Sequence, residues 1–186
     1  MSFPTYADPI PTPAPLTSGT TTQSFTDPLG DVWVAKNGVR GGNWYRARDV
    51  LRCHYSRAAA FNFTNANVVL AYDTVNTGGD SYGLMAGGAF TAPVAGVYMW
   101  FLQVCGTATA AAQWFQLTGL NNGAFGWSQN RVYAVGAGNV TLSVTDSQPL
   151  NATDTIQPQI ICSAASLAGV ANGLLTYGFF NYMGTG

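Results

Sequence analysis

The chain has 186 residues, of which 47% are hydrophobic and only 8% carry Asp, Glu, Lys or Arg, where an ordinary soluble domain has about 25%. A net charge of -1 gives no electrostatic case for nucleic acid, and the lack of any Glu together with a single His leaves few groups for acid–base or metal chemistry. The length suits one domain of about 130 residues plus an appendage.

Residues 1–30 place Pro4, Pro9, Pro11, Pro13, Pro15 and Pro28 among Thr and Ser. Such a segment has no means of forming a core and is expected to run as an extended, partly polyproline arm, ordered only against a partner. It lacks the apolar stretch of a signal peptide, and no apolar run in the chain is long enough to cross a bilayer. Synthesis in a cytosol is the expectation. It agrees with Cys53, Cys105 and Cys162, which lack metal-ligand spacing and read as reduced, buried thiols.

Residues 31–57 read as a basic aromatic docking segment. Val32 to Lys36 and Trp44 to Arg48, separated by Asn37-Gly38, predict a short hairpin. Six of the seven Lys and Arg residues fall here: Lys36, Arg40, Arg46, Arg48, Arg52 and Arg57. Arginine beside Trp33, Trp44 and Tyr45 suits a protein interface better than single-stranded nucleic acid, because Asp31 and Asp49 lie among them. The expected docking set is Pro4, Pro9, Pro11 and Pro13 of the arm with Trp33, Lys36, Arg40, Trp44, Arg46, Arg48, Arg52 and Arg57.

From Ala58 to Gly186 the charged side chains are Asp73, Asp80, Arg131, Asp146 and Asp154. So little charge hardly suffices to keep a lone monomer in water, and self-association is the first inference. Strands are predicted at 61–72, 88–91, 97–105, 113–118, 131–135, 140–144, 155–162 and 174–182, with turn residues between them. About eight short strands predict an all-β antiparallel jelly-roll sandwich over residues 58–186. Pro158 is expected to mark an edge or a bulge. Val97 to Cys105 is apolar at consecutive positions, so both faces of that strand are expected to be covered, the outer one by another subunit.

Phe90, Gly96, Tyr98 and Trp100 resemble the signature strand pair of the C1q/TNF-like jelly rolls. Leu150 to Ile156 and Tyr177 to Phe180 are similar to the family's later strands, so the resemblance covers roughly residues 61–183. Asn76 and Tyr82 depart from the family's spacing to Phe90, which leaves the register before residue 88 open. The resemblance implies a compact homotrimer, with Phe90, Tyr98, Trp100, Phe101, Tyr177, Phe179, Phe180 and Tyr182 at its core or threefold interface. Residues 30–36 and 44–51 before the jelly roll also resemble virion proteins of tailed phages that infect actinobacteria, of the minor capsid or minor tail type.

Chemistry finds little to work with. His54 neighbours Cys53, but adjacent residues on a strand face opposite ways and make no catalytic pair. Asp73, Asn76 and Asp80 have the oxygen-rich look of a calcium loop, yet without a dedicated site's acidic density, and a plain turn is the favoured reading. Trp114, Phe115 and Trp127 read as core or interface rather than a sugar platform. Asn62, Asn139 and Asn151 head glycosylation sequons that have no secretory route. The expectation is therefore a non-enzymatic protein without cofactor, nucleic acid or membrane: a trimeric capsid decoration protein on the virion exterior, docked on the major capsid or another virion protein. The alternative is a minor tail or receptor-binding protein recognising host cell-surface glycan.

Overall fold

Thr155–Cys162 alternates half-exposed and buried positions one by one, the period of a strand with a single face in a core. The same alternation runs through residues 97–104 and 177–182. The structure is a computed structural model, and it describes residues 22–27, 30–36, 44–76 and 82–185. Pro4, Pro9, Pro11, Pro13, Arg40, Asp80 and the Asn37-Gly38 turn lie outside them.

In chain order, β1 (Gln23–Thr26), β2 (Val32–Ala35) and β3 (Tyr45–Arg46) precede a single helical turn, α1 (Ala47–Val50). There follow β4 (Arg52–Ser56), β5 (Asn62–Phe63), β6 (Val68–Val69), β7 (Thr74–Val75), β8 (Met85–Ala86) and β9 (Ala89–Thr91). The longer strands come last: β10 (Gly96–Ala108), β11 (Trp114–Asn121), β12 (Ala124–Tyr133), β13 (Gly138–Leu150), β14 (Thr155–Cys162), the short β15 (Leu167–Ala168) and β16 (Tyr177–Gly184).

A front sheet has the order β13-β10-β16-β4-β7, and a back sheet the order β12-β11-β14-β9-β8 with β6 also paired to β14. Every pairing is antiparallel. Because the chain passes from β10 to the back sheet, returns at β13, leaves again at β14 and returns at β16, the sandwich is an antiparallel jelly roll. This is the fold class expected from the sequence.

The sandwich closes on aromatics. Trp100, Tyr98, Phe90, Phe115 and Phe180 are all 0–1% exposed, and Phe90 stacks on Phe180 with centroids 4.3 Å apart and planes at 4°. Two glycines are dictated by this packing. At Gly96, with φ +153°, a Cβ would lie 2.3 Å from the Tyr182 ring, and at Gly119 it would lie 2.3 Å from the Trp100 ring. The glycine inside the signature motif is thus a matter of close approach, not of turn formation.

Three expectations change. Pro158 lies on an inner strand, flanked by β11 on one side and by β9 and β6 on the other. It is tolerated because its carbonyl accepts from Leu70 N–H at 2.9 Å just past the end of β6, so its missing donor forgoes a single bond at the end of a ladder. Gln23–Thr26, placed in the arm by composition, is a strand paired to β2. Residues 52–56, placed in the docking segment, form β4 and pair with β16 inside the front sheet. Val32, Val34, Ala47, Val50 and Leu51 belong to the same buried cluster as Trp100 and Tyr182, so the small sheet β1-β2-β3 is welded to the sandwich.

Gly119→Ala is expected to destabilise the protein by about 1–3 kcal/mol through overpacking against Trp100. Gly136→Ala, where a Cβ meets nothing within 4 Å, is expected to stay within about 0.5 kcal/mol. Urea midpoints at unchanged slope measure both.

Candidate functional site

Once Tyr98, Trp100, Leu102 and Val104 of β10 have turned inward, the alternate residues Val97, Met99, Phe101 and Gln103 face outward and are half-buried. On β16, Phe180 and Tyr182 turn inward and Tyr177, Phe179 and Asn181 outward. The register sets Phe101 opposite Phe179 and Phe179 opposite His54. An aromatic track results across three strands. Phe101 stacks on Phe179 at 5.3 Å, Phe101 meets Tyr177 at 5.5 Å, and His54 meets Tyr177 edge-on at 5.4 Å.

The track is nearly free of charge. Among the described residues of β4, β10, β13 and β16 the charged side chains are Arg52 and Asp146, and Asp146 is paired with the inward Trp100. Beside the track, β13 presents Thr141, Ser143, Thr145 and Ser147, all exposed. Burial lowers the His54 pKa below its ordinary 6.5, so the imidazole is neutral at pH 7. The eight residues expected at the trimer core or interface therefore divide. Phe90, Tyr98, Trp100, Phe180 and Tyr182 build the chain's own core, while Phe101, Tyr177 and Phe179 lie on the outer face.

A second aromatic surface lies on the small sheet. Val32 and Val34 face the body, which leaves Trp33 on the other side with its partners Phe25 and Arg46. Phe25 and Trp33 lie nearly parallel at 6.3 Å, Trp44 meets Phe25 edge-on at 4.9 Å, and the Arg46 guanidinium sits 5.5 Å from the Trp33 ring. Asp31 receives Arg46 at 3.4 Å and Arg48 at 3.7 Å, and the Trp33 indole donates to Asp27 at 2.9 Å.

Two more of the expected docking set are spent on the body. Lys36 donates to the Tyr82 carbonyl at 2.8 Å. Arg57 donates to the Ala71 carbonyl at 2.9 Å and pairs with Asp73 at 3.1 Å. Arg52 is exposed. Asp73, a calcium candidate, is already committed: its carboxylate accepts from Ala58 N–H at 2.7 Å, Ala59 N–H at 3.0 Å and the Thr74 hydroxyl at 3.0 Å. Asn76 accepts from the Ser56 hydroxyl at 3.0 Å. No group of three His, Cys, Asp or Glu that could hold a metal occurs among the described residues.

Cys53, Cys105 and Cys162 are buried free thiols; Cys53 points inward while His54 lies on the outer face. Phe115 is core, and half-buried Trp114 already carries the Arg131 guanidinium 4.3 Å from its ring. The Trp127 side chain lies outside the described residues. Among the described residues no helix is long and apolar enough to cross a membrane.

No family model and no curated protein matches this chain. A solved structure of Eiger TNF from S. frugiperda matches at 10% identity with a TM-score of 0.47, covering 73% of this chain and 93% of that one. The jelly-roll assignment stands on the strand order itself.

Burial alone would raise the Asp73 pKa, but the Ala58 and Ala59 N–H groups, the Thr74 hydroxyl and Arg57 outweigh it and hold the carboxyl below its ordinary 3.8. A depressed carboxylate contributes stability above its unfolded pKa and loses it as pH falls through the folded one. Asp73→Asn is expected to lower stability at pH 7 and to remove part of the acid-induced loss below about pH 4, read from urea midpoints between pH 2 and 7.

Proposed function

We propose that this is a non-enzymatic structural protein that works as a homotrimer. Three front sheets meet through the Phe101, Phe179 and Tyr177 track, and the trimer decorates the head of a tailed-phage virion. The arm and the small sheet that follows it hold it there. The observation that carries this reading is the stacked aromatic track on the outward side of a sheet whose inner side is already saturated.

Magnitudes set what the contact must include. Full burial of a Phe side chain is worth about 1.5–3 kcal/mol, so each half-buried ring holds roughly 1 kcal/mol in reserve. The three rings then supply on the order of 3 kcal/mol per subunit, below the roughly 4–15 kcal/mol that association costs. Val97, Met99 and the hydroxyl row of β13 must therefore be covered as well. That row suits close packing, since Thr and Ser bring neither bulk nor charge. Attachment to a particle then draws on three identical arms, whose avidity makes weak single contacts hold.

Light scattering is expected to give three copies of the 19.6 kDa chain for the wild type and a single copy for Phe101→Asp, which places a carboxylate in the middle of the track. A wild-type protein that stays single at micromolar concentration would refute the reading. Removing residues 1–21, which spares β1, is expected to leave the trimer intact and abolish attachment to capsids. Full occupancy by the truncated protein would reassign the arm.

A further inference from the structure

We propose that His54 makes the front-sheet contact between copies sensitive to acid, so that its protonation separates them. The inference rests on the trimer proposed above and supplies its regulation. His54 is the single histidine of the chain, and it stands within the aromatic track rather than beside it. In register it lies opposite Phe179, and its ring meets Tyr177 edge-on at 5.4 Å. Its Nε2 is buried and has no hydrogen-bond partner. A neutral imidazole tolerates such a place, since it carries one N–H and can keep it at Nδ1. An imidazolium carries an N–H on both nitrogens, so one charged donor would lie buried with nothing to accept it, which is costly.

The surroundings offer no compensating charge. On β4 the same face carries Arg52, which is exposed, while Cys53 and Tyr55 turn inward. On β16 it carries Tyr177, Phe179 and Asn181. On the other side Asn76 donates its N–H to the His54 carbonyl at 3.0 Å, and its side chain accepts from the Ser56 hydroxyl. Asp73, just before β7, is committed to Arg57 and to the Ala58 and Ala59 N–H groups. The strands β4, β7 and β16 themselves hold no carboxylate. An imidazolium at His54 therefore has a like charge for company.

Burial already holds the His54 pKa below its ordinary 6.5 in one copy. Covering the track with another front sheet adds burial and brings no acid to offset it, because the facing surface repeats His54 and Arg52 and keeps Asp146 on the side of the inward Trp100. The charged form is then disfavoured further in the assembly, and protons are taken up on separation. The contact is at full strength above the single copy's His54 pKa and weakens as pH falls through the range below 6.5. Each subunit contributes up to about a tenfold change per pH unit.

The test is light scattering on the full chain at about pH 7.5 and about pH 5, the lower value lying above the ordinary aspartate pKa of roughly 4. The wild type is expected to pass from three copies to one, its dissociation constant rising at least about a hundredfold. Near-ultraviolet circular dichroism is expected to stay unchanged, which separates dissociation from unfolding. His54→Phe and His54→Gln, which do not ionise, are expected to remain three copies at both values. The imidazole proton signal, free of overlap in a chain with one histidine, is expected to titrate below 6.5. A wild-type trimer unmoved at the lower pH, a His54→Gln protein that separates alongside it, or an imidazole that titrates at or above its ordinary value would overturn the proposal. A wild type already single at the higher pH would instead refute the trimer reading, and this inference with it.

Discussion

Everything in this molecule follows from β10 being apolar on consecutive residues while its sheet has only one interior. Trp100 takes the inward place, and the back sheet yields to it by having no side chain at Gly119. Phe101, the next residue, then has to point away from the core, where Phe179 and Tyr177 come to meet it. A strand has no third direction. The outward ring is a consequence of placing the inward one, and in a chain so poor in charge nothing nearby redresses it.

The same economy explains the small sheet. Val32 and Val34 are buried against α1 and β16 in the common core, so Trp33 between them must face out. Asp27 and Asp31 answer the polar needs of that surface by taking the Trp33 indole and two arginines. Exposed pairs of this kind add little stability. They order the side chains around the rings.

Much of this was legible in the sequence. The strand expected at 155–162 coincides with β14, and the spacing of Phe90, Gly96, Tyr98 and Trp100 placed the core pair. What stayed hidden was set by tertiary contact. β4 reads as a basic run because Arg52 and His54 lie on its outer face, while Cys53 and Tyr55, which enter the core, look unremarkable alone. β7, β8 and β15 are two residues long, too short for any period to register. Pro158 misled because the rule that confines proline to edges concerns ladder bonds, and here the loss falls where a neighbouring strand is ending. The division of the eight aromatics between core and outer face follows from register, which composition does not carry.

A cluster of basic residues in a sequence invites an electrostatic account of docking, and the geometry argues against it. Lys36 is tied to the Tyr82 carbonyl, Arg57 to Asp73 and the Ala71 carbonyl, and Arg46 and Arg48 to Asp31. Most of these cations hold the small sheet, α1 and β4 in place. Little long-range field remains to pull the protein toward an acidic surface, and what remains is screened within about 8 Å at physiological salt. The attachment proposed above would therefore rest on contacts of short range: rings, prolines and the matching of shapes. Such contacts are weak singly and gain by repetition, which is the physical reason the proposed trimer suits a protein whose own surface carries so little charge.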